Sequence, residues 1–189
     1  MRAMRVHELS DDIGSIELVE ADLPPPGEGE VRLKLKACSI NFPDLLMIQG
    51  KYQYKPDLPF SPGMEGSGIV TELGPGVDNV AVGDEVVAGL RVGGFAEEVN
   101  AAAAACRPIP KGMDFVKAAA YPAAYLTAYV ALVIRGNLKP GETLLVHGSA
   151  GGVGLAAVEV GKLLGATVIA TSASDDKLKT VKERGADHV

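Results

Sequence analysis

Leu144-Leu145-Val146-His147-Gly148-Ser149-Ala150-Gly151-Gly152-Val153-Gly154 is an apolar run that ends in glycines and passes at once into a helical pattern. It reads as a strand, a tight turn and a helix N-terminus. In such a turn Gly151 and Gly152 let backbone amides approach a pyrophosphate, with Ser149, Ala150 and Val153 completing the cradle, and Gly154 lets the helix lie close to the strand. The helix N-terminus adds partial positive charge where the phosphates sit. A tight βα turn without a ligand has similar glycines, so the flanking sequence matters. Residues 155–164 have the small-residue and apolar spacing of a helix packed on a sheet, and Gly165 ends it. Thr167-Val168-Ile169-Ala170-Thr171 then reads as the second buried parallel strand of a βαβ unit. Together these give a dinucleotide site in outline.

The end of the second strand bears on which nicotinamide dinucleotide is expected. Sites that prefer NAD place an acidic residue there, roughly 20 residues past the glycines, to bond the ribose 2′-hydroxyl. Ser172 occupies that place, followed by Ser174 and Lys177. Hydroxyls and an ammonium suit a 2′-phosphate, which a carboxylate would repel, so NADPH is the expected cofactor. Asp175 and Asp176 stand against this, unless they are first-turn acids that complement the dipole of the helix carrying Lys177. Lys177 itself has the alternative of being part of a solvated helix face.

The 189 residues are 47% hydrophobic and 22% charged, with a net charge of −6, the composition of a soluble globular protein with ample core material. So acidic a surface argues against nucleic acid as a partner. No apolar run approaches the roughly 20 residues that span a bilayer, and residues 1–10 lack the apolar centre of a signal peptide, so the expectation is a cytoplasmic protein without a membrane partner. Two cysteines, Cys38 and Cys106, make no disulfide framework and read as small buried hydrophobes.

Ahead of the glycine turn the texture changes. Residues 31–40, 68–73, 85–88 and 96–99 are short strand-like pieces, separated by Pro24-Pro25-Pro26-Gly27, Gly74-Pro75-Gly76 and Gly93-Gly94. That pattern predicts a small β-barrel with long loops. A helical stretch opens at Ala118–Ala120, is interrupted by Pro122 and continues from Ala123 to about Arg135. The fold class is therefore α/β with a β-rich N-terminal domain over 1–122 and the start of a nucleotide domain over 123–189.

Asn41-Phe42-Pro43-Asp44, Pro62-Gly63-Met64-Glu65-Gly66, Val82-Gly83-Asp84-Glu85-Val86 and Gly94-Phe95-Ala96-Glu97, followed by the glycines of 148–154, occur in an order that resembles the medium-chain dehydrogenase/reductase superfamily. The resemblance runs over the whole chain. It implies a GroES-like β-barrel followed by a Rossmann domain, with the active site in the cleft between them. The chain departs from the zinc-binding branch, whose Gly-His-Glu histidine is replaced by Met64 and whose cysteine is replaced by Asn41. A thioether is a poor ligand for Zn²⁺. The cysteine-rich lobe that holds structural zinc is missing, and His7, His147 and His188 have no mutual spacing that suggests a site, so no metal is expected. What remains resembles the zinc-independent quinone oxidoreductase branch.

A cleft without a Lewis acid serves alcohol oxidation poorly, whereas hydride transfer from NADPH to a quinone or conjugated enone needs mainly orientation and a donor to the carbonyl oxygen. The resemblance places Asn41 near the nicotinamide and the substrate, and the Tyr52 phenol is a candidate donor. Asn41 is equally a turn residue before a short helix, and Tyr52 or Tyr54 an ordinary half-buried aromatic at the barrel rim. Thr127 matches the family's threonine near the cofactor, with a helix residue bonding its own backbone as the alternative. An enoyl-thioester reductase of the same superfamily and a non-catalytic dinucleotide-binding protein are the other readings. A Rossmann half is expected to run on for on the order of 100 residues past Val189, so only two nucleotide-domain strands are expected within a fragment or truncated gene. A homodimer is the expected assembly at full length.

Overall fold

Arg2–Val6 (β1) and Ile16–Glu20 (β2) pair antiparallel as a two-stranded sheet. Isolated bridges tie β1 onward, Ala3 to Ala96 and Val6 to Phe60. The main sheet of the first unit is antiparallel and five-stranded. Its members are Glu30–Cys38 (β3), Glu65–Leu73 (β4), Glu85–Gly89 (β5), Glu98–Ala102 (β6) and Cys106–Pro108 (β7), in the order β6-β3-β4-β5-β7. The alternation of Val31 and Leu33 with Arg32 and Lys34 sends one face of β3 inward, as a period-two pattern requires. Those two residues pack with Val70, Val86, Ala88 and Val99 into the sheet's core. The structure thus adds three strands, β1, β2 and β7, to the four pieces read from the sequence; each is five residues or fewer, too short for a clear period.

A seven-residue helix, Phe42–Ile48 (α1), follows β3 directly, and its Met47 and Ile48 join Val6 and Phe60 in a second core, against which Tyr52 and Met64 also pack. Phe115–Ala120 (α2) lies on β4, where Ser67 Oγ donates to the Phe115 carbonyl at 2.6 Å. Residues 1–189 are described by a computed structural model, which divides into two units, Met1–Ala120 and Tyr121–Val189.

The second unit opens with Pro122–Tyr129 (α3), where Pro122 sits at the helix start rather than breaking a longer helix; its missing N–H is harmless in a first turn. The chain continues as a π-helical segment, Val130–Arg135, closed by a Gly136 N–H bond to the Ala131 carbonyl at 2.7 Å. Thr143–Val146 (β8), Gly152–Leu163 (α4) and Thr167–Ala170 (β9) then form the βαβ unit, with β8 and β9 parallel and in register from Thr143–Thr167 to Val146–Ala170. Val146, Val158, Val168, Ala170 and Val181 make its core, Val181 coming from Asp175–Glu183 (α5). Gly161 brings the α4 backbone down on the sheet: a Cβ there would lie 2.5 Å from Leu144 Cδ2 and 3.2 Å from Val168 Cγ2. The second unit has the two expected strands, and beyond them Ile169 makes one isolated parallel bridge to His188, with the Ala170 N–H on the His188 carbonyl at 2.9 Å.

Candidate functional site

In the second unit the glycine turn is tied to the end of β9. Ser149 is fully buried, and both its N–H (3.0 Å) and its Oγ (2.8 Å) donate to the Thr171 carbonyl. Its donors are therefore committed inward, and Ser149 braces the turn instead of presenting an amide to a ligand. Gly151 N–H closes back onto the Gly148 carbonyl at 3.1 Å, and the helical ladder begins with Leu155 N–H on the Gly151 carbonyl at 2.8 Å. The first-turn amides of Gly152, Val153 and Gly154 are left without an intrahelical acceptor, as at any helix start. A Cβ on Gly152 would meet nothing within 4 Å, so the helix start is open on that side. Gly154 is different: a Cβ there would sit 2.5 Å from the Gly148 carbonyl oxygen and 2.7 Å from Ser149 Cα. The glycine expected to bring helix against strand thus seats the helix on the turn, and the strand contact belongs to Gly161, whose signal is a glycine seven residues further along α4, on the same face.

Beyond the turn, Ser172 is half-buried just past β9, and Ser174 is the N-cap of α5. Asp175 and Asp176 occupy the first turn of that helix, Asp176 pairs with Lys179 at 3.1 Å, and Lys177 is exposed and forms no ion pair. Thr127 is exposed on α3 and its hydroxyl does not bond its own backbone. Tyr125 on the same helix donates its hydroxyl to Glu159 of α4, which pushes its ionisation up to about 12, and Arg184 grips the other oxygen of Glu159 at 3.0 Å.

In the first unit Asn41 is the N-cap of α1. Asp44, three residues on, accepts the Asn41 backbone N–H at 2.8 Å and reaches across to accept the Gly63 N–H at 3.0 Å. This is the N-x-x-D form of a capping box extended to a second loop. Burial holds the Asp44 carboxyl above the usual carboxylate range, against the pull of those two N–H bonds. The Asn41 amide nitrogen donates to Ser39 Oγ and to Glu65 Oε1, each at 2.9 Å, and the Ser39 hydroxyl donates to the same Glu65 oxygen. Glu65 is 2% exposed. Cys38 closes the cluster by bonding the Glu65 carbonyl at 2.9 Å; burial first, then Asp44 and Glu65, raise its thiol to about 12, so it is an inert thiol. Sequence reasoning singled out Asn41 but missed Ser39, Asp44 and Glu65 as its partners, although the three-residue spacing to Asp44 was visible.

Met64, beside Glu65, packs with Tyr52 against the core of Val6, Met47, Ile48 and Phe60. The Tyr52 ring is thus held by packing. No group of three or more His, Cys, Asp or Glu residues is disposed to hold a metal ion.

Residues 27–111 match the alcohol dehydrogenase GroES-like domain and residues 152–189 the zinc-binding dehydrogenase family model. The human synaptic vesicle membrane protein VAT-1 homolog is 43% identical over 165 residues, covering 87% of this chain and 42% of that protein. The rat quinone oxidoreductase-like protein 2 is 42% identical over 163 residues, covering 86% of this chain and 47% of that protein. The chain spans less than half the length of these curated relatives. Among solved structures, the quinone oxidoreductase of Thermus thermophilus, determined also as its complex with NADPH, superposes with a TM-score of 0.88 at 37% identity over 100% of this chain and 59% of its own. Agreement in sequence and in backbone across both units has one explanation: the chain belongs to the medium-chain dehydrogenase/reductase superfamily, in its quinone oxidoreductase-like branch.

Proposed function

We propose that this chain forms the GroES-like part, 1–122, and the first part of the NADPH-binding Rossmann domain, 123–189, of an oxidoreductase that passes a hydride to a quinone or conjugated enone without zinc. The observation that carries the reading is the glycine turn: the helical ladder starts only at Leu155, which leaves the first-turn amides of Gly152, Val153 and Gly154 without intrahelical acceptors, and the side of the helix start at Gly152 is open. Ala150 and Gly151 complete the loop that positions them, and Ser149 locks it to β9. Such a site fits a pyrophosphate. Ser172 and the unpaired Lys177 supply a hydroxyl and a positive charge for a 2′-phosphate, and Thr127 is exposed for contact with the cofactor.

When bound, NADPH would supply a hydride, two electrons and a proton nucleus together, and a proton from water would complete the reduced acceptor. The chain's part is to bind, orient and stabilise charge. Tyr52, held by the Val6–Phe60 core, donates from its phenol to the oxygen that becomes negative. Asn41, held by Ser39 and Glu65, positions a reactant. Met64 and Asn41 stand where the zinc-binding branch has ligands, which is why the proposed reaction is reduction of a polarised acceptor.

Fluorescence titration with NADPH and NADH tests the cofactor assignment. Lys177→Glu exchanges a charge-assisted contact, worth about 1.5–3 kcal/mol, for repulsion, and weakens NADPH at least about tenfold with little change for NADH. Ser172→Asp added to it shifts preference toward NADH. Equal weakening of both cofactors by Lys177→Glu refutes the assignment. NADPH oxidation with a quinone panel beside a crotonyl-thioester panel decides the acceptor class, and binding without turnover on either selects a non-catalytic role.

A further inference from the structure

We propose that Glu159 is the positioning residue of α3: acting through Tyr125, it fixes how that helix is turned on α4 and so presents Thr127 on the side away from α4. The helix has little apolar anchorage of its own. Of residues 122–135 only Ala128 is buried, and none of them belongs to the core of Val146, Val158, Val168, Ala170 and Val181. A polar link joins α3 to α4 instead, the Tyr125 hydroxyl donating to one oxygen of Glu159. Both ends of that bond are held. The second oxygen of Glu159 accepts from Arg184, which caps α5, at 3.0 Å, and the Glu159 side chain is only 24% exposed, so the bond is screened less than one in open water. On the other side the Tyr121 ring stacks on that of Tyr125, with centroids 5.0 Å apart and planes 25° from parallel. A ring gripped at its face and at its hydroxyl sets the roll of the helix that carries it.

Helix geometry carries that roll to Thr127. Each residue steps about 100° around the axis, so Thr127, two on from Tyr125, lies about 200° around, while Ala128, three on, returns to within about 60° of Tyr125. Ala128 is accordingly 1% exposed and Thr127 lies on the exposed side. Glu159 belongs to α4, seven residues past Gly152, the helix whose first turn carries the unpaired amides. Under the NADPH reading, on which this inference rests, one carboxylate therefore places the Thr127 hydroxyl relative to the pyrophosphate amides. Tyr125 and Glu159 serve the cofactor through this placement alone.

The test has two readouts on the unmutated chain, Tyr125→Phe, Glu159→Leu, Glu159→Gln, Thr127→Val and the Tyr125→Phe/Thr127→Val double variant. Tyr125→Phe keeps the ring and its stack while removing the bond; Glu159→Gln keeps an acceptor for Tyr125 without the charge. By NMR-detected hydrogen exchange, the backbone amides of α3 exchange about threefold to tenfold faster in Tyr125→Phe and Glu159→Leu, with Glu159→Gln closer to the unmutated chain and the amides of β8 and β9 unaltered; this holds whether or not a cofactor binds. In fluorescence titration, Thr127→Val weakens NADPH about threefold to tenfold, as the loss of one hydrogen bond does. Tyr125→Phe weakens it at least about twofold, and the double variant is no weaker than Thr127→Val, the non-additivity that marks a residue acting through another. A bond that served stability alone would leave NADPH affinity as it is in Tyr125→Phe. Unaltered α3 exchange in Tyr125→Phe and Glu159→Leu, additive losses in the double variant, or unchanged NADPH affinity in Tyr125→Phe or in Thr127→Val overturns the proposal. An unmutated chain that takes up no NADPH sinks the cofactor reading instead, and α3 exchange then decides by itself whether Glu159 sets the helix.

Discussion

Replacing Gly154 and Gly152 by alanine, one at a time, separates the two jobs that glycine does in the cradle. At Gly154 the new methyl lies 2.5 Å from the Gly148 oxygen, and ordinary contact begins at 3.4 Å, so helix and turn must part by about 0.9 Å. All three nearest atoms are backbone, and the turn is held by Ser149 on Thr171 and Gly151 on Gly148, so nothing gives way cheaply. Overpacking of this kind costs about 1–3 kcal/mol, and the better helix propensity of alanine returns about 1 kcal/mol at most. A net loss of about 1–2 kcal/mol is expected in urea denaturation followed by circular dichroism. The same displacement takes the first-turn amides out of the 2.7–3.2 Å window of an N–H···O bond, so NADPH affinity falls about tenfold to a hundredfold for each bond lost. Gly152→Ala has open space around its methyl and an ordinary backbone conformation, so it leaves stability unchanged or raises it by about 0.4–1 kcal/mol. Its methyl occupies the phosphate's approach, and affinity still falls at least about tenfold. Refutation would be Gly154→Ala with unaltered stability and affinity, or Gly152→Ala that loses stability while binding NADPH normally.

Asp44→Asn keeps one acceptor for two buried N–H groups and is expected to cost about 1–3 kcal/mol. Because burial raises the folded-state pKa of Asp44, its own contribution is full below the unfolded carboxylate value and shrinks as pH rises through the folded value; the gap between wild type and Asp44→Asn in urea midpoints should therefore be widest in acid, and a gap that widens toward neutrality contradicts the account. Asp187 has the opposite sign: its bonds from Lys162 and from the Val168 N–H hold its pKa down, so its stabilisation is present above the unfolded carboxylate value and lost as pH falls through the folded one, and Asp187→Asn should converge with wild type in acid by the same assay. Purified protein should carry no stoichiometric zinc; one zinc per chain by elemental analysis would remove the basis for a metal-free mechanism. The free edge of β8, with Leu145 52% exposed, should make the chain self-associate, and Leu145→Lys should shift it toward monomer in sedimentation velocity; an unmutated chain that sediments as a monomer at all concentrations counts against this.

The βαβ unit was legible because each of its signals is local: an apolar run at 144–146, glycines at fixed offsets, a helix closed by Gly165, and a second run at 167–171. The main antiparallel strands were legible for the same reason, since β3 and β5 keep their apolar residues in short, well-bounded runs. β1 and β2 were not, because the contacts that fix β1, to Phe60 and Ala96, lie far along the chain and Leu18 of β2 is exposed. The Asn41 cluster shows the same limit at the level of chemistry. Asp44 lies within one helical turn of Asn41, but Glu65 arrives through the β3–β4 pairing of Cys38 with Gly66, which brings Glu65 beside Ser39, 26 residues earlier. Ser149 is the converse case: its position in the glycine motif suggested a ligand contact, and only the fold shows that its donors face Thr171.

That stitch between Ser149 and Thr171 bears on how cofactor preference can change in this chain. The Thr171 carbonyl receives both Ser149 bonds, its N–H reaches the Val146 carbonyl at 2.9 Å, and its hydroxyl meets His147 Nδ1 at 2.9 Å. Ser172, the residue proposed for the 2′-phosphate, is the next one along. A side chain swapped at 172 that drags the strand end therefore tugs the pyrophosphate amides as well, so selectivity and overall affinity do not vary independently. Engineering the switch from NADPH to NADH is accordingly best pursued from Lys177, which stands on α5 outside the stitch, with residue 172 altered only by side chains that leave the Thr171 backbone where it is.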